Sequence, residues 1–279
     1  MTLTPTATII EDAVTERRGV GAFNVIHLEH AEAFVTGAER VGAPVVLQIS
    51  ENAVRWHGSL APIAAATLAV ARAGAGPVAV HLDHATDINL VREAVDLGFT
   101  SVMFDGSKLP WDENLAMTQQ VVRDAPDGLW VEAELGEVGG KDGVHAPGVR
   151  TDPVEARQFV EATGVHGLAV AVGTSHAMTT RTAQLDLDLI GRLRDTVPVP
   201  LVLHGSSGVP DEELTRAVEV GMTKINIATH LNHVFTRSLR QALEASPDVV
   251  DTRKYIGVGR EAMAVEVARL LGVLRAVPG

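Results

Sequence analysis

Eight short runs of β-branched and other apolar residues recur along this chain, and polar residues able to do chemistry gather where they finish. The runs are Ala22–Val25, Val45–Ile49, Val78–Leu82, Ser101–Phe104, Leu129–Ala133, Leu168–Val172, Leu201–Leu203 and Lys224–Ile227. Several are nearly continuous in hydrophobic residues, the pattern of parallel strands covered by helices. The segments between them read as amphipathic helices. From Asp87 to Leu97, Leu90, Val91, Ala94 and Leu97 share one face, and Gly98 supplies a stop. Pro210-Asp211-Glu212-Glu213 gives a turn and an acidic helix start that Gly221 closes.

Eight such units with no break in composition predict an α/β fold, a closed (β/α)8 TIM barrel. It is expected to fill residues 1–279 as a single domain with a C-terminal helical extension. An open doubly wound sheet is the alternative. Asn24, Gln48 with Ser50, Asp83 with His84, Asp105, Glu134, His176, His204 and Asn226 stand at or just beyond the carboxyl ends of the eight runs. In a barrel those ends meet at one mouth, where the active site lies.

Composition narrows the chemistry. The 279 residues, 46% of them hydrophobic, suffice for a large core. There is no Cys, so a transition metal would have to use His, Asp or Glu. A formal charge of −12 argues against nucleic-acid binding, although a few local donors can still hold a phosphate. Met1–Ile10 lacks the basic head and apolar run of a signal peptide. Leu60–Val80 is interrupted by Arg72, glycines and prolines, so no membrane span is expected and a soluble cytoplasmic protein is the default.

Each motif has a plain structural reading beside its chemical one. In His81-Leu82-Asp83-His84, strand neighbours face opposite ways, so Asp83 and His84 share a site only if the chain turns there. Otherwise they are a helix-capping Asp and a hydrogen-bonded His. His176 and His204 also follow buried runs. Three histidines at barrel-strand ends favour a three-histidine zinc site with one coordination position open. Gly205–Gly208 offers N–H groups and hydroxyls for a phosphate, or is a simple strand-to-helix turn. Lys224-Ile225-Asn226-Ile227-Ala228-Thr229 could complete that cradle. Glu132 and Glu134 face the same way, and a nearby metal would explain two carboxylates directed into a barrel. The Gly-rich stretch Gly139–Gly148 reads as a lid or as a plain surface loop.

These segments together resemble the class II fructose- and tagatose-bisphosphate aldolase family. His-Leu-Asp-His, Val-Glu-Ala-Glu-Leu-Gly, Leu-His-Gly-Ser-Ser-Gly and Lys-Ile-Asn-Ile-Ala-Thr occur in the family's order, between Phe23-Asn24-Val25 and Arg253-Lys254-Tyr255. The resemblance implies reversible retro-aldol cleavage of fructose-1,6- or tagatose-1,6-bisphosphate to dihydroxyacetone phosphate and an aldehyde, through a zinc-stabilised ene-diolate. It makes Asp83 the acid/base and His84, His176 and His204 the zinc ligands, with Glu134 an alternative or outer partner. A monovalent cation is a second implied cofactor. Asn24 and Asn226 would orient the ene-diolate. Ser50, Ala177, Gly205, Ser206, Ser207 and Asn226, Ile227, Ala228 and Thr229 would bind the phosphorylated sugar. Arg253 resembles an arginine that reaches the distal phosphate in a neighbouring subunit, which implies a homodimer or homotetramer. No nucleic acid or membrane partner is implied.

Three positions depart from the family pattern. Ala177 stands where Gly is usual, and His230 replaces an acidic residue. The lid lacks the usual proton-moving Glu, and Asp142 or His145 would have to replace it, Asp142 first. These departures also fit an aldolase for another phosphorylated keto-sugar, of inositol-catabolism type, or a non-catalytic zinc and sugar-phosphate binder.

Overall fold

All eight expected strands form: β1 (Val20–Asn24), β2 (Val45–Ser50), β3 (Val78–Ala85), β4 (Ser101–Phe104), β5 (Trp130–Leu135), β6 (Gly167–Val170), β7 (Leu201–Leu203) and β8 (Met222–Ile227). The computed structural model describes residues 3–135, 150–174 and 180–276. The strands pair in sequence order, every pair parallel, and β1 returns to β8 with Val20 opposite Lys224 and Phe23 opposite Ile227. That closure rules out the open doubly wound sheet and makes a (β/α)8 TIM barrel.

A first helix, α1 (Thr6–Glu16), precedes the barrel. Between the strands run α2 (Leu28–Val41), α3 (Glu51–His57), α4 (Ala61–Ala73), α5 (Ile88–Leu97) and α6 (Trp111–Asp124). They are followed by α7 (Pro153–Thr163), α8 (Leu187–Thr196) and α9 (Asp211–Val220). Beyond β8 come α10 (Thr229–Ala245) and α11 (Thr252–Val273). Local chemistry sets these limits. Asp87 caps α5, its side chain accepting from the Asn89 N–H, and Gly98 ends that helix in the left-handed region at φ +91°. Asp87 is therefore the cap, which leaves Asp83 available to the mouth.

The period-2 alternation of the strands separates two cores. Outward residues such as Leu47, Ile49, Val80, Leu82, Val131 and Leu203 pack under the helices. Inward residues low in the barrel are apolar as well: Val20, Ala22, Val46, Ala79, Met103, Trp130, Ala169 and Val202 form a second cluster. Helix α1 seals it from below with Ile9, Ile10 and Ala13. Gly167 makes room for Trp130, whose ring would lie 2.3 Å from a Cβ placed there. One pleat higher, the inward positions turn polar: Asn24, Gln48, His81, Glu132, His204 and Lys224. Folding thus sets a wet mouth over a dry floor.

Helix α11 lies closely along α2. A Cβ on Gly37 would meet the Ala264 carbonyl oxygen at 2.6 Å, so the absence of a side chain there permits the approach. Helices α10 and α11 are tied by His230, whose Nε2 lies 2.5 Å from Glu266 Oε1. Arg269 joins Glu266 to Asp211 at the start of α9.

Burial alone would raise the Glu266 carboxyl. The His230 hydrogen bond and Arg269 outweigh it and hold the group at about 2, against an ordinary 4.5. Because the native value lies below the unfolded one, this stabilisation is complete above about pH 4.5 and vanishes as pH falls toward 2. Glu266→Gln is therefore expected to cost about 1 kcal/mol at pH 7, after allowance for solvent screening, and almost nothing near pH 2. Denaturant melts across pH measure this. Equal losses at both ends would remove the ion pair from the account.

Candidate active site

The end of β3 resolves how Asp83 and His84 come to share one mouth. The register with β4 slips between Leu82 and Ala85, and His84 takes a left-handed φ of +52°. A bulge with positive φ in a non-Gly residue is an uncommon conformation, and such conformations concentrate at functional sites. It re-aims the second side chain, so that both residues line one cavity of about 360 Å³.

Carboxylates behind the histidines fix their ring states. His84 Nδ1 lies 2.9 Å from Asp105 Oδ2, and His204 Nε2 lies 2.8 Å from Glu132 Oε1. A carboxylate only accepts, so each of those nitrogens carries the proton and donates it. His84 Nε2 and His204 Nδ1 then turn their lone pairs toward the same point, 2.8 Å apart. Burial, followed by the neighbouring His84, lowers His204 to about 4, which keeps it neutral, the state an imidazole ligand needs. Glu134 Oε2 lies 3.6 Å from His84 Nδ1 and 3.8 Å from His204 Nδ1.

This donor set fits a divalent metal. Among the described residues, ligand atoms of Asp83, His84 and His204 lie within 4.8 Å of one another, as do those of His84, Asp105 and Glu134. Two converging imidazole lone pairs, each backed by a carboxylate, are an arrangement that a cation stabilises.

Asp83, on the same mouth, is held by amides. Asn24 Nδ2 donates to its Oδ2 at 2.9 Å, Gln48 Nε2 supports Asn24 Oδ1 at 2.8 Å, and Asn226 Nδ2 approaches Oδ1 at 3.5 Å. Burial by itself would raise its carboxyl. The fields of His84, His204, Lys224 and His81 outweigh that, and Asp83 stays ionised, well below the usual carboxylate range. A buried, amide-held carboxylate can accept a proton from a bound hydroxyl.

Most of the other expected residues also meet this cavity. Asn24, Ser50, Gly205, Ser207, Asn226, Ala228 and Thr229 line it. Ser50 additionally caps α3, accepting from the Ala53 N–H, and Ser207 Oγ accepts from the Ala228 and His230 N–H groups at 3.3 and 3.2 Å. The side chains of Ser206 and Ile227 turn away from the cavity. The Ser206 hydroxyl donates back to the Leu203 carbonyl, and the Ile227 side chain belongs to the outer core. Gly205 causes the first, because its left-handed φ of +68° starts a tight turn that folds Ser206 inward; strand alternation causes the second. Arg253 does not reach its own chain's mouth. Its side chain is 89% exposed on the first turn of α11 and pairs with Asp251. His176, Ala177, Asp142 and His145 lie outside the described residues.

Sequence reasoning did not single out Arg55, Asn52, Thr86 or Lys108, which share the cavity. Glu51 and Arg55 stand four apart on α3 and form an ion pair, a spacing that could have shown Arg55 at the rim.

A barrel whose mouth unites paired imidazoles with an ionised, amide-held carboxylate has the donor set of a (β/α)8 protein able to hold a metal ion. Comparison with known proteins is more specific. The family model described as class-II fructose-bisphosphate aldolase matches residues 4–277, and the chain belongs to that family. It is 38% identical over 272 residues to a fructose-bisphosphate aldolase of Geobacillus stearothermophilus, covering 96% of this chain and 95% of that protein. The YdjI aldolase from Escherichia coli K12 superposes with a TM-score of 0.85 at 29% identity, covering 99% of this chain and 98% of that one. The fructose-bisphosphate aldolase of Campylobacter jejuni, at 21% identity and a TM-score of 0.79 over 98% of this chain and 94% of that one, shares the fold. The protein is thus a class II ketose-bisphosphate aldolase, a lyase of carbohydrate metabolism from a zinc-dependent family. No helix among the described residues is long and apolar enough to cross a membrane.

Proposed function

We propose that this aldolase cleaves fructose-1,6- or tagatose-1,6-bisphosphate reversibly to dihydroxyacetone phosphate and an aldehyde. The observation that carries this reading is the bulge at His84, which brings a buried, amide-held carboxylate and an imidazole side by side into one mouth. His84 and His204, with His176, would hold Zn2+, and Glu134 would be an alternative or outer partner. Bound zinc supplies Lewis-acid polarisation of the ketose carbonyl and steadies the charge left on the three-carbon half.

Asp83 takes the proton of the C4 hydroxyl. The C3–C4 bond breaks, C4 leaves as the aldehyde, and the bonding pair stays with C3. The amides of Asn24 and Asn226 orient Asp83 and the ene-diolate by donating hydrogen bonds. Asp142 would return a proton to C3, with His145 the second candidate. The phosphate of the three-carbon half meets Gly205, Ser207, Ala228 and Thr229 and the backbone of Ser206 and Ile227, and Ala177 is a further candidate for it. A monovalent cation beside these residues would assist in holding the same phosphate.

The chain forms one barrel domain extended by its C-terminal helices. The exposure of Arg253 supports a homodimer or homotetramer, in which it reaches a neighbour's distal phosphate. A cytoplasmic location suits an enzyme of phosphosugar metabolism.

A second reading takes another phosphorylated keto-sugar, of inositol-catabolism type, as substrate. His230 favours it: its imidazole is held by Glu266, so it does not supply the acidic group usual at that place. Steady-state cleavage of a panel of ketose mono- and bisphosphates, with the triose phosphate trapped enzymatically, tests both. Turnover is expected for a hexose bisphosphate. Turnover of only a member other than the hexose bisphosphates would select the second reading, and none with any member would overturn both.

A further inference from the structure

Below the mouth a lysine and a glutamate face each other out of contact with water. Lys224 of β8 and Glu132 of β5 are both fully buried, with Nζ 2.9 Å from Oε2. Burying such a pair is costly, and well-packed apolar residues of similar volume are often as stabilising. The pair therefore calls for a reason other than stability.

The contacts above it provide one. Each ion also holds a different group of the mouth. Glu132 Oε1 accepts from His204 Nε2 at 2.8 Å, and Lys224 Nζ donates to Asn226 Oδ1 at 2.9 Å. Lys224 and Asn226 stand two apart, so strand alternation puts both inside the barrel. The two contacts have opposite polarity, and each admits only one state of its partner. A carboxylate can only accept, so it compels His204 to carry its proton on Nε2 and aim the Nδ1 lone pair upward. An ammonium can only donate, so it holds Oδ1 of Asn226 and turns the NH2 the other way, to 3.1 Å from His204 Nε2 and 3.5 Å from Asp83 Oδ1. An amide left unbiased flips with little steric cost. His81 lies alongside, its Nδ1 on Ser101 Oγ at 2.8 Å and its Nε2 3.7 Å from Glu132, too far to share either task.

We infer that Lys224 and Glu132 are positioning residues with separate tasks: Glu132 sets the ring state of the metal ligand His204, and Lys224 sets the orientation of the Asn226 amide. This rests on the reading of the mouth as a zinc aldolase site.

The test uses purified holoenzyme, with zinc affinity read by chelator competition and solvent-deuterium exchange into dihydroxyacetone phosphate as a second measurement. Glu132→Gln is expected to weaken zinc by about 10–100-fold, the usual effect of losing a ligand's carboxylate partner. Lys224→Met is expected to keep zinc affinity within about threefold yet to slow exchange and kcat by about 10²-fold, as when one positioned donor is lost. Either single change leaves a buried charge unbalanced and could impair folding. Lys224→Met with Glu132→Gln leaves none, and should melt close to the wild type while showing both defects. A double variant with wild-type zinc affinity and exchange would reduce the pair to a structural role. Equal loss of both readouts in the two single variants would overturn the division of tasks. Wild-type exchange that needs no zinc would instead sink the underlying site reading, and is seen before any variant is made.

Discussion

Stripping the metal with a chelator is expected to abolish carbon–carbon cleavage, and His204→Ala is expected to make that loss permanent. Lewis-acid stabilisation of developing charge is worth several kcal/mol, so a fall of about 10³-fold or more should follow. His204 is fully buried, kept neutral, and backed by Glu132, so water cannot replace its Nδ1 without rearranging the barrel interior. Added Zn2+ should restore the chelated wild type and fail to restore His204→Ala. Borohydride with substrate should trap no covalent adduct, because this chemistry uses no Schiff base. Metal analysis should find about one zinc per chain in the wild type, as a single open site holds. A fully active metal-free enzyme would end the proposed mechanism.

Asp83→Ala should retain zinc and lose cleavage by about 10²–10⁴-fold, the worth of a positioned acid/base. The split follows from the contacts. Asp83 lies 3.9 Å from His84 Nε2 and orients neither imidazole; Asp105 and Glu132 do that. Its own partners are the amides of Asn24 and Asn226, which would face the substrate whether or not the carboxylate is there. Zinc content and steady-state rate on the same preparation check both halves. Normal turnover would reduce Asp83 to a packing residue. Loss of zinc along with the rate would make it a ligand instead.

Much of this architecture was legible in the chain alone. Strand and helix periods differ, so burial writes them into the order of apolar residues, and all eight strands could be found by their runs. Their starts were less visible. Strand β8 begins at Met222, two residues before the expected Lys224, because a buried lysine looks like an edge until its partner is known. The residues at the carboxyl ends were equally plain, since a polar group that ends an apolar run needs a reason. Asn24, Ser50, Asp83, His84, His204 and Asn226 all reach one cavity.

Tertiary structure decided what depends on distance across the barrel. A bulge at His84 arises from pairing with β4 and leaves no local mark in His-Leu-Asp-His. The turn of the Ser206 hydroxyl toward Leu203 is set by one backbone angle at Gly205. Lys224 and Glu132 are 92 residues apart in the numbering of the chain and 2.9 Å apart in space. Neither strand by itself tells of the other, because a charge inside a barrel is stabilised only by a partner that closure brings to it. Local periodicity is a one-dimensional signal, and it determined the elements and the mouth they share. Pairing of buried charges is set by three-dimensional closure, and only that could show which carboxylate steadies which histidine.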